Sequence, residues 1–148
     1  MAVSIREIKK QDKPRWLELW DGYCTFYEAK VHREVTEETW QRVLNSDRDD
    51  MFSLVAEVDG KIVGFVICVV HPGTWTDKDI CYLEDLYVDD AARGQGAGRA
   101  LIEAVYAKAK ELDHHRVYWR TKAENATARA LYEKVADDND WVMYEKMI

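Results

Sequence analysis

An α+β domain, with a mixed central sheet and helices on both faces, is what this sequence predicts. Three observations carry that prediction. Trp16, Leu17, Leu19, Trp20, Tyr23, Cys24 and Tyr27 recur at three- and four-residue spacing, the signature of an amphipathic helix. Two apolar runs, Phe52 to Val58 and Lys61 to Ile67, flank Asp59-Gly60, a pair suited to the positive backbone angles of a tight hairpin turn. A strand-like run, Ile80 to Val88, then leads through a glycine-rich turn into a helical pattern and a further strand. Antiparallel strands followed by a strand-helix-strand unit give an α/β/α layering, with a sheet of about six to seven strands.

Taken in order, Ser4 to Lys9 reads as a first strand with Ile5 and Ile8 apolar. Asp12 offers a helix cap and Pro14 suits the first turn, so Lys13 to Lys30 is predicted helical. Thr36 is expected to cap a second helix, Glu37 to Leu44, with Glu37 and Glu38 on the favoured side of its dipole. After the hairpin, His71 to Asp79 is a loop containing Pro72 and Gly73. Helices are predicted over Ala97 to Leu112 and Asn125 to Val135, and strands over Arg116 to Thr121 and Trp141 to Lys146. With no linker, repeat or low-complexity tract, residues 1–148 form one domain.

Composition narrows the function. The chain is 47% hydrophobic and 33% charged, an ordinary globular balance. No apolar run approaches the ~20 residues that span a membrane, and the N-terminus lacks a signal-peptide core. Cys24, Cys68 and Cys81 form no CxxC pair and suit reduced thiols in a cytoplasm. The histidines show no metal-ligand spacing, so no metal site is expected. A net charge of −7 argues against nucleic-acid phosphates as partners and is compatible with a cationic substrate.

Arg93-Gly94-Gln95-Gly96-Ala97-Gly98 is the most informative segment. Glycine lets a backbone approach an anion, and the first amides of a helix have no internal partner. A Walker loop is excluded because Arg99-Ala100 follows Gly98 where Gly-Lys-Ser/Thr is needed. The dinucleotide fingerprint also fails, since Arg99 stands where its third glycine belongs. What remains is a cradle for some other pyrophosphate, or a helix entry whose glycines only set a turn.

Two more segments stand out. Tyr82-Leu83-Glu84-Asp85-Leu86-Tyr87-Val88 places adjacent carboxylates inside an apolar strand, where unpaired charge is costly. Simple alternation puts Glu84 with Tyr82 and Leu86, and Asp85 on the other face with Leu83 and Tyr87. One acid can then serve as general base while the other holds a cation or a structural partner; the alternative is a pair on an open edge that aids solubility. In Asn125-Ala126-Thr127-Ala128-Arg129-Ala130-Leu131-Tyr132-Glu133, Asn125 and Tyr132 project from one helical face, roughly 10 Å apart along the axis. One extended ligand can touch both, or Asn125 is only a cap and Tyr132 a core aromatic.

In this order the three segments resemble the GNAT superfamily of acetyl-CoA-dependent N-acetyltransferases. Arg93 to Gly98 is similar to its Arg/Gln-x-x-Gly-x-Gly/Ala pyrophosphate signature. Leu86-Tyr87-Val88 resembles the strand end before it, and Asn125 to Glu133 its Asn-x-x-Ala-x-x-Leu-Tyr-Glu segment. The likeness runs from about Phe52 to the C-terminus. Within the superfamily, Tyr82 to Val88 is similar to the spermidine/spermine acetyltransferases and to the fungal histone- and polyamine-acetylating branch. The match departs at Ala136-Asp137-Asp138, where many members carry a Gly-Phe pair.

The resemblance implies acetyl-CoA as cofactor, held by Leu86, Tyr87, Val88, Arg93, Gly94, Gln95, Gly96, Ala97, Gly98, Arg99, Asn125 and Tyr132. It implies direct transfer to a primary amine, with Glu84 the first choice as general base, Asp85 the second, and Tyr132 the acid for the departing thiolate. The Val88 amide would polarise the thioester carbonyl. Tyr23, Tyr27 and Trp75, with Glu84, are expected to wall the acceptor pocket, though Tyr23 and Tyr27 also fit ordinary core packing and Trp75 fits burial by a dimer partner. The implied acceptor is a polyamine, lysine-like molecule or amino acid. The alternatives are a basic protein such as a histone, or a silent acyl-CoA-binding module. Relatives of this kind imply a homodimer, sometimes a tetramer.

Overall fold

The computed structural model describes residues 2–148, which form one five-stranded mixed sheet in the order β1-β2-β3-β4-β5. The strands are β1 (Ser4–Glu7), β2 (Met51–Val58), β3 (Lys61–Pro72), β4 (Asp79–Val88) and β5 (Val117–Tyr118). The first four pair antiparallel, and β5 joins β4 in parallel after the crossover helix. The helices are α1 (Lys13–Phe26), α2 (Arg33–Leu44), α3 (Ala97–Glu111) and α4 (Ala126–Val135). Asp59 and Gly60 turn the β2–β3 hairpin with φ of 51° and 78°, as the sequence predicts.

Both faces of the sheet are covered. On one, α1 and α2 pack Trp16, Trp20 and Trp40 onto Val55, Phe65 and Ile67. On the other, Leu101, Ile102 and Val105 of α3 pack onto Leu54, Val66, Cys68, Cys81 and Leu83, with Leu131 and Tyr132 of α4 at the margin. Single-residue alternation of β2 and β3 between the two clusters explains why nearly every residue of these strands is buried.

Local details depart from the sequence expectation in instructive ways. Asp12 precedes α1 yet makes no capping hydrogen bond to it. Its buried carboxylate instead takes both Arg6 Nη atoms, at 2.8 and 2.9 Å, and the Lys9 amide at 2.7 Å. A charge buried there is tolerable because every oxygen is satisfied. Helix α2 begins at Arg33, a turn earlier than expected, and Thr36 accepts the indole hydrogen of Trp20 at 3.0 Å rather than capping a helix.

The sheet is also smaller than the six to seven strands expected. Residues 141–146 join no ladder, and Trp141, Val142, Met143 and Tyr144 lie largely exposed. Strand propensity is local, whereas membership of a sheet needs a free edge and a face to bury. β5, the edge strand nearest in sequence, is itself only two residues long and gives little backbone to pair with.

Candidate active site

The site forms where β4 and β5 part. Their ladder holds at Cys81–Val117 and Tyr82–Tyr118 and then stops, although both chains run on. On the opposite side of β4, the register against β3 shifts between Ile67 and Cys68: Ile67 pairs with Asp85 and Cys68 with Leu83. Glu84 is therefore the extra residue of a β-bulge.

The bulge overturns the expected alternation. Leu83 and Leu86 both pack in the α3-side cluster, while Tyr87 packs on the α1 side. Asp85 meets Tyr23 of α1, and Glu84 acts on Tyr23 and Tyr82. The two carboxylates thus share the α1 side instead of facing opposite ways. Glu84 is exposed there; Asp85 is half-buried.

Burial pushes the Asp85 carboxyl up to about 6, the Tyr23 hydroxyl pulls it down, and the Glu84 charge raises it again. Tyr23 is itself pushed up, first by burial and then by Asp85. The consequence for stability has a definite sign. A carboxyl raised above its unfolded value stabilises the fold fully below about pH 4, and that contribution is lost as pH rises through about 6. Asp85→Asn should therefore stabilise the protein by about 2–3 kcal/mol at pH 7.5 and by almost nothing at pH 3.5, read from denaturation midpoints at the two pH values. Equal effects at both would show that Asp85 does not titrate as described.

Aromatic side chains line the acids. Tyr23 lies edge-on to Tyr27 at 5.1 Å and to Tyr87 at 6.3 Å between ring centres. Tyr82 lies tilted against Tyr118 at 4.7 Å between ring centres, and the Tyr118 hydroxyl meets His71 Nε2 at 2.7 Å. Trp75, expected beside these rings, is 89% exposed in the β3–β4 loop, and it makes no ring contact among the described residues. Cys24 lies close enough to Asp21 and Asp85 for their charges to raise its thiol, after burial as the main cause. A thiol held protonated is a poor nucleophile, which fits the absence of a cysteine from the expected machinery.

The glycine turn stands at the far end of β4. Arg15 fixes that end, donating to Ile62 O at 2.9 Å and pairing with Asp89 at 2.7 Å. Gly94 and Gly96 have φ of 83° and 82°, and a Cβ built on either would meet no atom within 4 Å. The turn is thus open above its backbone. Gly96 precedes α3 with no side-chain cap, and the first amide bonded back into the helix is Ala100, to Gly96 O at 3.0 Å. The amides of Ala97, Gly98 and Arg99 remain for an anion. The Arg93 side chain is already engaged: it pairs with Asp90 at 2.8 Å, donates to Val88 O at 3.3 Å, and lies over the Phe26 and Tyr87 rings.

At Gly98 the three segments picked out in the sequence converge. A Cβ built there would lie 3.5 Å from Leu131 Cδ2 and 3.8 Å from Val88 Cγ2. The residue after Leu131 is Tyr132, whose ring meets Trp119 edge-on at 5.4 Å. Burial, then the nearby Tyr27, pushes its hydroxyl up to about 12. Asn125 caps α4, accepting from the Ala128 amide at 3.4 Å, and donates to Thr121 Oγ1 at 3.3 Å. A cavity of about 560 Å³ opens beside this group, between β5, α4 and the C-terminal segment, lined by Trp119, Arg120, Tyr132 and Trp141 among others. It does not reach the glycine turn or the acids.

This constellation of anion-ready helix start, split parallel strands and tyrosine helix agrees with a match over residues 14–136 to the model of the acetyltransferase (GNAT) family. The chain belongs to that family. It is an N-acetyltransferase, as its relatives are named. It is 34% identical over 145 residues to the D-amino-acid N-acetyltransferase HPA3 of Saccharomyces cerevisiae, spanning 97% of this chain and 90% of that one. It is 29% identical over 112 residues to the thialysine N-epsilon-acetyltransferase of Sus scrofa, spanning 70% and 65%. Its fold superposes with a TM-score of 0.82 on the ribosomal-protein-alanine N-acetyltransferase of Brucella melitensis biovar Abortus 2308, at 27% identity over 99% of this chain and 100% of the other. GNAT acetyltransferases use acetyl-CoA, and the open glycine turn of this acetyltransferase fits a pyrophosphate.

Some of its residues escaped the sequence reading. Tyr82 and Tyr118 come beside Glu84 only through the sheet register, with His71 bonded to the Tyr118 hydroxyl, and Arg116, Tyr118 and Arg120 alternate along β5 and its continuation. The period-two spacing of those three residues is a signal that was available in the sequence.

Proposed function

We propose that this chain transfers the acetyl group of acetyl-CoA directly to the primary amine of a small acceptor, in the cytoplasm. The convergence of the glycine turn, the end of β4 and the tyrosine helix around Gly98 carries this reading. Acetyl-CoA, when bound, supplies an activated thioester carbonyl. The amides of Ala97, Gly98 and Arg99 would hold its pyrophosphate, and the Val88 amide at the strand end would polarise the thioester carbonyl. Glu84 is exposed at the bulge and takes the proton that an ammonium must lose before it can attack, directly or through water. Asp85 sits deeper and orients Tyr23, which with Tyr27 walls the acceptor side. Tyr132 returns a proton to the departing thiolate.

The relatives named for D-amino acids and for thialysine support a small amine acceptor. A second reading, transfer to a protein amine, has the Brucella relative's name in its favour. Free thiol release from acetyl-CoA, measured with polyamines, amino acids and a lysine-containing peptide and followed by product mass, is the test. Turnover is expected with small amines. Turnover with the peptide alone transfers the proposal to protein acceptors. Tight acetyl-CoA binding with no thiol release from any amine overturns catalysis.

A further inference from the structure

The acceptor side of this site carries positive charge as well as negative. In a chain of net charge −7, an arginine without an acid is unusual, and most arginines here are paired. Arg116 and Arg120 have no carboxylate within 4 Å among the described residues. Arg116 is committed to the Tyr118 ring, 4.5 Å from its centre. The partner of Arg120 is the Met143 sulfur, a weak acceptor that leaves a guanidinium fork largely unused.

Arg120 also stands at a particular place. It lies two residues beyond Tyr118 on the strand that parts from β4, as Glu84 lies two beyond Tyr82. Both side chains act on the Tyr82 hydroxyl, with opposite sign, yet they form no ion pair with each other. Arg120 lines the same cavity as Tyr132. The mouth of the strand split thus presents a carboxylate and a guanidinium at one tyrosine hydroxyl, neither paired with an opposite charge.

From this juxtaposition we infer that the acceptor is a free α-amino acid, its carboxylate held by Arg120 and its ammonium facing Glu84. Such a molecule carries both charges on one carbon, which suits two opposite charges that are near but unpaired. A planar guanidinium binds a carboxylate through two parallel hydrogen bonds. A polyamine has no group for Arg120 and would be repelled by it. The inference rests on the acetyl-transfer reading and names its substrate class.

The test compares free amino acids with their C-terminal amides, using thiol release by the wild type, Arg120→Gln and Arg120→Lys. A charge-assisted contact contributes about 1.5–3 kcal/mol, or roughly 10- to 100-fold. Wild-type kcat/KM should be higher for the acids than for the amides by about that factor. Arg120→Gln should lower kcat/KM for the acids by roughly 10- to 100-fold, mainly through KM, and leave the amides within about twofold. Arg120→Lys should restore part of the difference. Because Arg120 is exposed, the variant is expected to keep the wild-type Tm, which shows that the loss is local. Amides or polyamines used as well as free amino acids by the wild type would overturn the inference and leave acetyl transfer standing. So would an equal fall for acids and amides in Arg120→Gln. No thiol release with any acceptor would overturn both.

Discussion

Tyr132→Phe should lower kcat by about 10²-fold or more while leaving Tm unchanged. The two halves of that expectation have separate causes. The ring is held edge-on against Trp119 at 5.4 Å, and phenylalanine keeps that contact. The hydroxyl has no partner within the fold among the described hydrogen bonds, so its loss leaves no structural gap. Pushed up to about 12 by burial, it keeps its proton at neutral pH, as an acid waiting for a leaving group must. A thiol's ordinary value is ~8.5, so donation from a hydroxyl near 12 runs uphill, and the Tyr132 proton serves the thiolate as a close hydrogen-bond donor while its charge develops. Steady-state kinetics with one amine acceptor, beside a melting curve, would check both halves. An unchanged kcat would remove Tyr132 from proton transfer, and a fall in Tm matching the fall in rate would make the residue structural.

The largest effect on stability is expected at Trp16, far from any chemistry. Its side chain is fully buried, 5.3 Å from Trp20, 5.1 Å from Trp40 and 6.1 Å from Phe65 between ring centres. Trp16→Ala deletes the centre of this cluster and should destabilise the fold by about 3–5 kcal/mol. For a chain of this size that corresponds to a fall in Tm of about 10 °C or more. Trp16→Phe should be much milder. It keeps an aromatic ring, and it removes an indole Nε1 hydrogen that is buried without a partner. Equal losses in the two variants would mean that the indole's full volume, rather than an aromatic centre, holds α1 and α2 to the sheet. The consequence reaches the site, because α1 carries Tyr23 and the Arg15 that anchors Asp89.

Much of this was legible in the sequence, for a physical reason that recurs. Asp59-Gly60, the glycine turn and the Asn125 cap are governed by the backbone freedom or side-chain reach of the residues themselves, and each forms where it was expected. Features that depend on a partner were not legible. Thr36 had the composition of a cap but became the acceptor for Trp20. Trp75 had the composition of a pocket wall but extends into solvent. Residues 141–146 had the composition of a strand but join no ladder.

The acid pair shows the division most clearly. By itself the sequence determined that an anion-ready turn follows a strand bearing Glu84 and Asp85, and that Asn125 and Tyr132 ride one helix. These are matters of spacing along the chain, and spacing survives folding. Which way the acids point was decided only by the tertiary structure. One extra residue in β4, set against β3, turns both carboxylates to the α1 side. A bulge is a property of two strands in register, so one strand's sequence cannot reveal it.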